Sequence, residues 1–221
     1  MNHLQQIHAG KYNCEFNKFK EFEHVEFRGI AHDILKYITH VVDIECYYVK
    51  GEYYYRELSI YDLRKMEIDC FQIYDETMPP KEEFTRQDRR QIWDMIFNIH
   101  GLRLLEKTNK KCRTREWIMN YLNGLNNIDG LNCVFGYKGG SIEKTLCIEL
   151  NIPAINLEHF GALKYEALCR LYKLDERCCE AHLPRGPHCS KSEVCVFTAF
   201  VFKILEQQQS FNKILEQYEN A

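Results

Sequence analysis

His40-Val41-Val42-Asp43-Ile44-Glu45-Cys46-Tyr47-Tyr48-Val49 is rich in β-branched and aromatic residues and apolar around its two acids, the make-up of a buried β-strand. Side chains alternate faces along a strand, so Asp43 and Glu45, two apart, point the same way. Two carboxylates on one face of a buried strand are costly unless they bind cations or find other partners. Mg²⁺ and Mn²⁺ are taken through carboxylate oxygens, with phosphate filling the remaining positions, and a pair of such ions can activate water and stabilise a leaving oxygen. A D-x-E pair also occurs as a structural feature, and both readings stay open at this point.

Outward from this strand, Lys50-Gly51-Glu52 reads as a turn. Tyr53 to Leu63 carries a second strand, centred on Arg56–Tyr61, and Ile68 to Tyr74 a third. Two tight reversals in succession make an antiparallel meander. Upstream, residues 1–39 are polar and aromatic and read as an N-terminal extension, with residues 40–221 as the domain. His3, His8 and Cys14 in that extension are surface residues or a second, loosely spaced metal site.

Downstream, Pro79-Pro80 breaks the chain, and the spacing of Ile92, Met95, Ile96 and Ile99 predicts a helix from Thr85 to Ile99, with Thr85 as its cap. Lys107, Lys110, Lys111, Arg113 and Arg115 form a basic loop, either a solvated turn or a phosphate contact. A helix with Trp117, Ile118, Tyr121 and Leu122 follows. Leu131–Tyr137 reads as a strand, Gly139-Gly140-Ser141 as a joint resembling a phosphate cradle, and Ile142–Leu150 as a helix. The joint lacks the G-K-[ST] ending of a P-loop, which argues against a nucleoside-triphosphate site. Pro153–Leu157 is a short strand, Tyr165–Tyr172 a helix, and one last helix is expected from about Lys191 to Tyr218. This order predicts one α/β domain with a mixed sheet.

Cys179-Glu180-Ala181-His182-Leu183-Pro184-Arg185-Gly186-Pro187-His188-Cys189-Ser190-Lys191-Ser192-Glu193 concentrates the remaining chemistry. Cys179, His182 and Cys189 are spaced C-x2-H-x6-C, ligand types that zinc accepts. Cysteines are also common core residues, and Cys178 beside Cys179 leaves the choice of thiol open. His188 precedes Glu193 by five residues. The histidine is a candidate general base, since its ordinary pKa lies near neutrality. The acid is a candidate metal ligand, or else the last member of a capping box Ser190-Lys191-Ser192-Glu193.

Taken together, Asp43-Ile44-Glu45, Glu57-Leu58-Ser59-Ile60-Tyr61, the C-x2-H pair, and His188-Cys189 with Glu193 resemble the DEDDh exonuclease superfamily over residues 40 to about 205. They resemble most its zinc-containing branch, with the arenavirus nucleoprotein exonuclease domain and the Maelstrom domain. The resemblance implies an RNase H-like mixed sheet flanked by helices. It implies a structural Zn²⁺ held by Glu57, Cys179, His182 and Cys189, and Mg²⁺ or Mn²⁺ at Asp43, Glu45 and Glu193 with His188 as base. The implied activity is 3′-5′ exonuclease-type cleavage of RNA or single-stranded DNA, with RNA favoured. Two positions depart from the family pattern. Glu193 replaces the last Asp, and the middle Asp falls on Ser141 or Gly140, with Glu143 one helical step out of register. Ser141, Lys110, Lys111 and Arg113 are then candidate substrate contacts. The Maelstrom branch has lost the usual acids, so the rival reading is a zinc-stapled module with a decayed centre that binds nucleic acid or protein.

The 221 residues suffice for one large domain with a sizeable core. Net charge of −3 argues against a non-specific polyanion binder without excluding a local basic channel. The 11 cysteines are odd in number, and the polar N-terminal sequence does not read as a secretory leader, so a reducing intracellular setting is expected. No apolar run reaches membrane-spanning length.

Overall fold

The computed structural model describes residues 31–105, 112–126, 133–139, 141–176, 179–183 and 188–219. His3, His8, Cys14, Lys107, Lys110, Lys111, Gly140 and Cys178 lie outside them. Strands β1 (His40–Val49), β2 (Glu52–Asp62) and β3 (Glu67–Tyr74) form the antiparallel meander. Lys50 and Gly51 both have positive φ, 52° and 89°, which suits a two-residue hairpin closed by the Val49–Glu52 pair. Strands β4 (Arg113–Thr114), β5 (Phe135–Tyr137) and β6 (Ala154–Asn156) complete a six-stranded mixed sheet of order β4-β3-β2-β1-β5-β6. β5 runs parallel to β1 and β6 parallel to β5. With helices on the sheet, this is the mixed α/β architecture expected from the sequence.

Two features of β1 position the acids. β5 pairs only with His40–Val42, so the β5-side edge of β1 is open from Asp43 onward. On the other side the β2 register shifts between Glu45 and Cys46, leaving Arg56 as the extra residue of a bulge.

Helices α1 (Arg86–Asp94), α2 (Arg115–Asn126), α3 (Ser141–Glu149), α4 (Tyr165–Tyr172), α5 (Ser190–Ile204) and α6 (Gln208–Glu219) follow in order. Thr85 caps α1 in a reciprocal box with Asp88, and α1 runs on into a π-helical turn, Met95–Ile99. The single last helix expected from the sequence is two. Glu206 takes φ +56°, and α6 folds back to bury Phe211, Ile214 and Tyr218. The basic loop is also corrected in part, because Arg113 lies in β4 and Arg115 opens α2. Residues 31–38, assigned above to the extension, pack into the domain: Ala31, Ile34, Leu35 and Ile38 are buried at helical spacing.

The core has three parts. On one face Val41 and Tyr61 pack under α4, α5 and α6. On the other Val42, Ile44 and Cys46 pack under α2 and α3. Tyr47, Val49 and Tyr54 pack with Phe84 and Ile92 of α1. Of the odd-numbered positions of β1, Val41 serves the first cluster and Tyr47 and Val49 the third. Asp43 and Glu45 occupy the gap between them, which removes two large apolar contacts and leaves a polar slot.

Candidate functional site

Asp43, Glu45 and Glu193 converge in that slot, with one oxygen of each lying within 4.8 Å of the others. Glu193 stands in the first turn of α5 and is buried. It does not form the capping box. The residue preceding α5 is Cys189, which makes no side-chain cap, and the Ser190 hydroxyl instead donates to Glu57 Oε1 at 2.7 Å. Glu193 Oε1 meets His188 Nδ1 at 2.7 Å. This fixes the His188 ring, directs its Nε2 away from Glu193, and leaves Glu193 Oε2 for another partner.

A fourth acid lies beside this trio, outside the group whose oxygens come within 4.8 Å of one another. Glu143, third residue of α3, is buried and accepts backbone N–H groups from itself and from Ile44 on the open edge of β1. Its charge is felt at Asp43, and that of Glu193 at Glu143. The register expected from the sequence is therefore corrected: Ser141 is exposed, and Glu143 reaches back to the carboxylates, as helical side chains lean toward their N-terminus. An acid just past a strand–glycine–helix joint was the available signal.

The electrostatics follow from crowding. Burial first, and then Glu193, Glu143 and Glu45, hold Asp43 well above the usual carboxylate range. Burial and then Glu193 push Glu45 up to about 8. Burial pushes Glu143 up to about 7 against the two N–H groups that oppose it. Without a cation these acids resist ionising at neutral pH, and a divalent ion would supply the missing countercharge. Three or four carboxylates and no sulfur donor make a set that fits Mg²⁺ or Mn²⁺. For His188, the hydrogen bond to Glu193 outweighs burial and raises its pKa to about 8.

The second cluster is soft. Glu57, Cys179, His182 and Cys189 offer one ligand atom each, all within 4.8 Å of one another. Tetrahedral zinc would draw such donors to roughly 3.3–3.8 Å apart, a small contraction. Glu57 and Cys189 are fully buried. His182 Nε2 lies 3.0 Å from Glu57 Oε1, and Gln72 Nε2 also donates to Glu57. Burial alone would lower the His182 pKa, but its bonds to Cys189 and Glu57 outweigh this and raise it to about 10. The Cys179 thiol is pushed up by its bond to Cys189 and then by burial. Two thiols, one imidazole and one carboxylate, with a half-buried amide and a buried hydroxyl orienting the carboxylate, fit a closed zinc site.

A short backbone stretch ties the two clusters together. The Ile99 carbonyl accepts the His188 N–H at 3.1 Å, and the Gly101 carbonyl accepts the Leu183 N–H at 2.9 Å. The His100 carbonyl bonds His182 Nδ1, which leaves Nε2 to face the other three donors. Gly101 holds φ +71°. Sequence reasoning missed this element, because bare carbonyls leave no residue signature.

Other expected site residues do not join the clusters. Arg113 lies on the outermost strand, three strands from β1 and so about 14 Å away at ordinary strand spacing. Its guanidinium sits 4.7 Å from the Trp117 ring centroid. Among the described residues no helix is long and apolar enough to cross a membrane.

No protein-family profile matches the chain. No curated protein matches it either. Among solved structures it is similar to the Mopeia virus exonuclease domain, described as fully depleted of manganese, at 14% identity and a TM-score of 0.42, covering 82% of this chain and 87% of that one.

Proposed function

We propose that the chain is a divalent-metal-dependent nuclease of the 3′-5′ exonuclease type, acting on RNA or single-stranded DNA, with RNA favoured. The observation that carries this reading is the convergence of Asp43, Glu45 and Glu193 within 4.8 Å, beside a histidine bonded to one of them. Acids that cannot all ionise side by side are poor structural material and good ligands for a hard cation.

In this reading Asp43, Glu45, Glu193 and Glu143 hold Mg²⁺ or Mn²⁺. Bound there, the ion would supply Lewis acidity to the phosphate and to the attacking water. Glu193 accepts from His188 Nδ1–H, so that His188 Nε2 takes the proton of that water. The zinc quartet of Glu57, Cys179, His182 and Cys189 anchors the loop that presents His188. Residues 40–221, together with the packed segment 31–38, form the working domain, and Lys110 and Lys111 contact the strand being degraded.

The test is cleavage of a 3′-labelled single strand with Mn²⁺ or Mg²⁺, lost in Asp43→Ala while folding is kept. If the wild type is inert with either ion on RNA and on DNA, yet it and Asp43→Ala bind single strands equally well, the decayed, zinc-stapled binding module is the correct account.

A further inference from the structure

A cavity of about 250 Å³ is lined by Tyr47 and by none of the clustered carboxylates. Its walls include Tyr55, Tyr74, Phe84 and the Pro79-Pro80 pair, and its charged lining is Arg56, Lys81 and Asp75. Arg56 is the extra residue of the β2 bulge, which turns its side chain out of the strand alternation. Arg56 is buried, 5% exposed. Nε donates to the Arg103 carbonyl at 2.7 Å and Nη1 to Gln72 Oε1 at 2.5 Å, both neutral acceptors. Tyr47 also hydrogen-bonds the guanidinium and the charge of Glu57 attracts it, but among the described residues no carboxylate forms a direct ion pair with it. Asp75 is occupied elsewhere, by the Tyr55 N–H, by Thr77 and by Arg115.

A buried guanidinium with only neutral acceptors is costly, and an anion in the cavity would relieve that cost. Aromatic and proline walls favour a flat ring beside the anion. The void lies just below the roughly 300–1,000 Å³ of drug-sized ligand pockets, which suits a single nucleotide and excludes an oligomer. We propose that this cavity binds a nucleoside monophosphate, the phosphate on Arg56 and the base between the aromatic walls. The cavity as a site for a planar aromatic anion stands apart from the carboxylate cluster. The choice of a nucleoside monophosphate rests on the nuclease reading, whose product has that chemistry.

The experiment is equilibrium binding by calorimetry of AMP and UMP, with uridine and inorganic phosphate as half-ligands. It is run on wild type and on Asp43→Asn, without added Mg²⁺ or Mn²⁺. The monophosphates are expected to bind both proteins alike, and each half-ligand at least about tenfold more weakly. Arg56→Gln should weaken AMP about tenfold or more. Gln72 links Arg56 to Glu57, so Arg56→Gln also perturbs the fold around Glu57, and Tyr74→Ala is the second variant. Tyr74→Ala should weaken AMP several-fold and leave inorganic phosphate unchanged. No monophosphate binding to wild type, or binding lost in Asp43→Asn and kept in Tyr74→Ala, overturns the cavity proposal. Neither result touches the nuclease reading. Conversely, monophosphate binding by a protein that cleaves nothing leaves the cavity standing and removes only the nuclease.

Discussion

Glu45→Gln should stabilise the protein when Mg²⁺ and Mn²⁺ are left out, and the gain should grow with pH. Glu45 is buried, has no hydrogen-bonding partner for its carboxylate among the described residues, and is pushed up to about 8 from an ordinary value of 4.5. Between these two values the folded state binds the proton that the unfolded state has released, so stability falls as pH rises through that window. Linkage puts the cost at roughly 3 kcal/mol near pH 7 and under about 1 kcal/mol near pH 5, as upper bounds for a group that shares its proton with neighbours. Gln keeps the shape and cannot ionise, so it should recover most of that difference. The assay is urea unfolding of wild type and variant at both pH values, with no chelator added. A variant less stable than wild type at both pH values would show that Glu45 is well paired as an anion, and the argument from crowding would fail. Adding Mn²⁺ should stabilise wild type and do little for the variant.

The remaining expectations are narrower. The purified protein should carry about one Zn²⁺ per chain by metal analysis, and Cys179→Ser should impair folding more than Cys178→Ser; folded protein free of zinc refutes the quartet. Gly101→Ala, forced into φ +71°, should cost about 1–2 kcal/mol and loosen zinc retention, because the flanking carbonyls hold His182 and the chain at His188. His188→Ala should lower turnover roughly a hundredfold, the usual size of a general-base contribution. In wild type, activity should be lost as pH falls through the His188 value, raised to about 8 by Glu193 before a cation binds. A pH profile unchanged in the His188→Ala variant removes that role.

The sequence carried the meander and both ligand clusters because each leaves a local mark. Period-two alternation with a glycine turn marks β1 to β3, and C-x2-H-x6-C marks the soft quartet. Glu57 came only through family resemblance, since a lone acid on a strand has no signature of its own. The break between α5 and α6 was hidden because Glu206, neither Gly nor Asn, adopts the left-handed conformation there. Glu143 was missed by one helical step, since residue patterns set helix starts only to within a residue or two. The Ser190–Glu193 box fits its pattern and does not form, because Glu57 and His188 offer these side chains other partners. Residues 31–38 were hidden by polar neighbours that dilute a four-residue apolar stripe.

The most direct measurement is Mn²⁺ binding followed by electron paramagnetic resonance, on wild type, Asp43→Asn and Glu143→Gln. If the four carboxylates share a hard cation, wild type binds Mn²⁺ with an affinity that climbs as pH rises from about 6 to 8, because protons must leave Glu45 and Glu143 first. Asp43→Asn should then lose binding, and Glu143→Gln should weaken it and flatten the pH dependence. Mn²⁺ binding that is equal in all three proteins, or that ignores pH, contradicts the carboxylate centre.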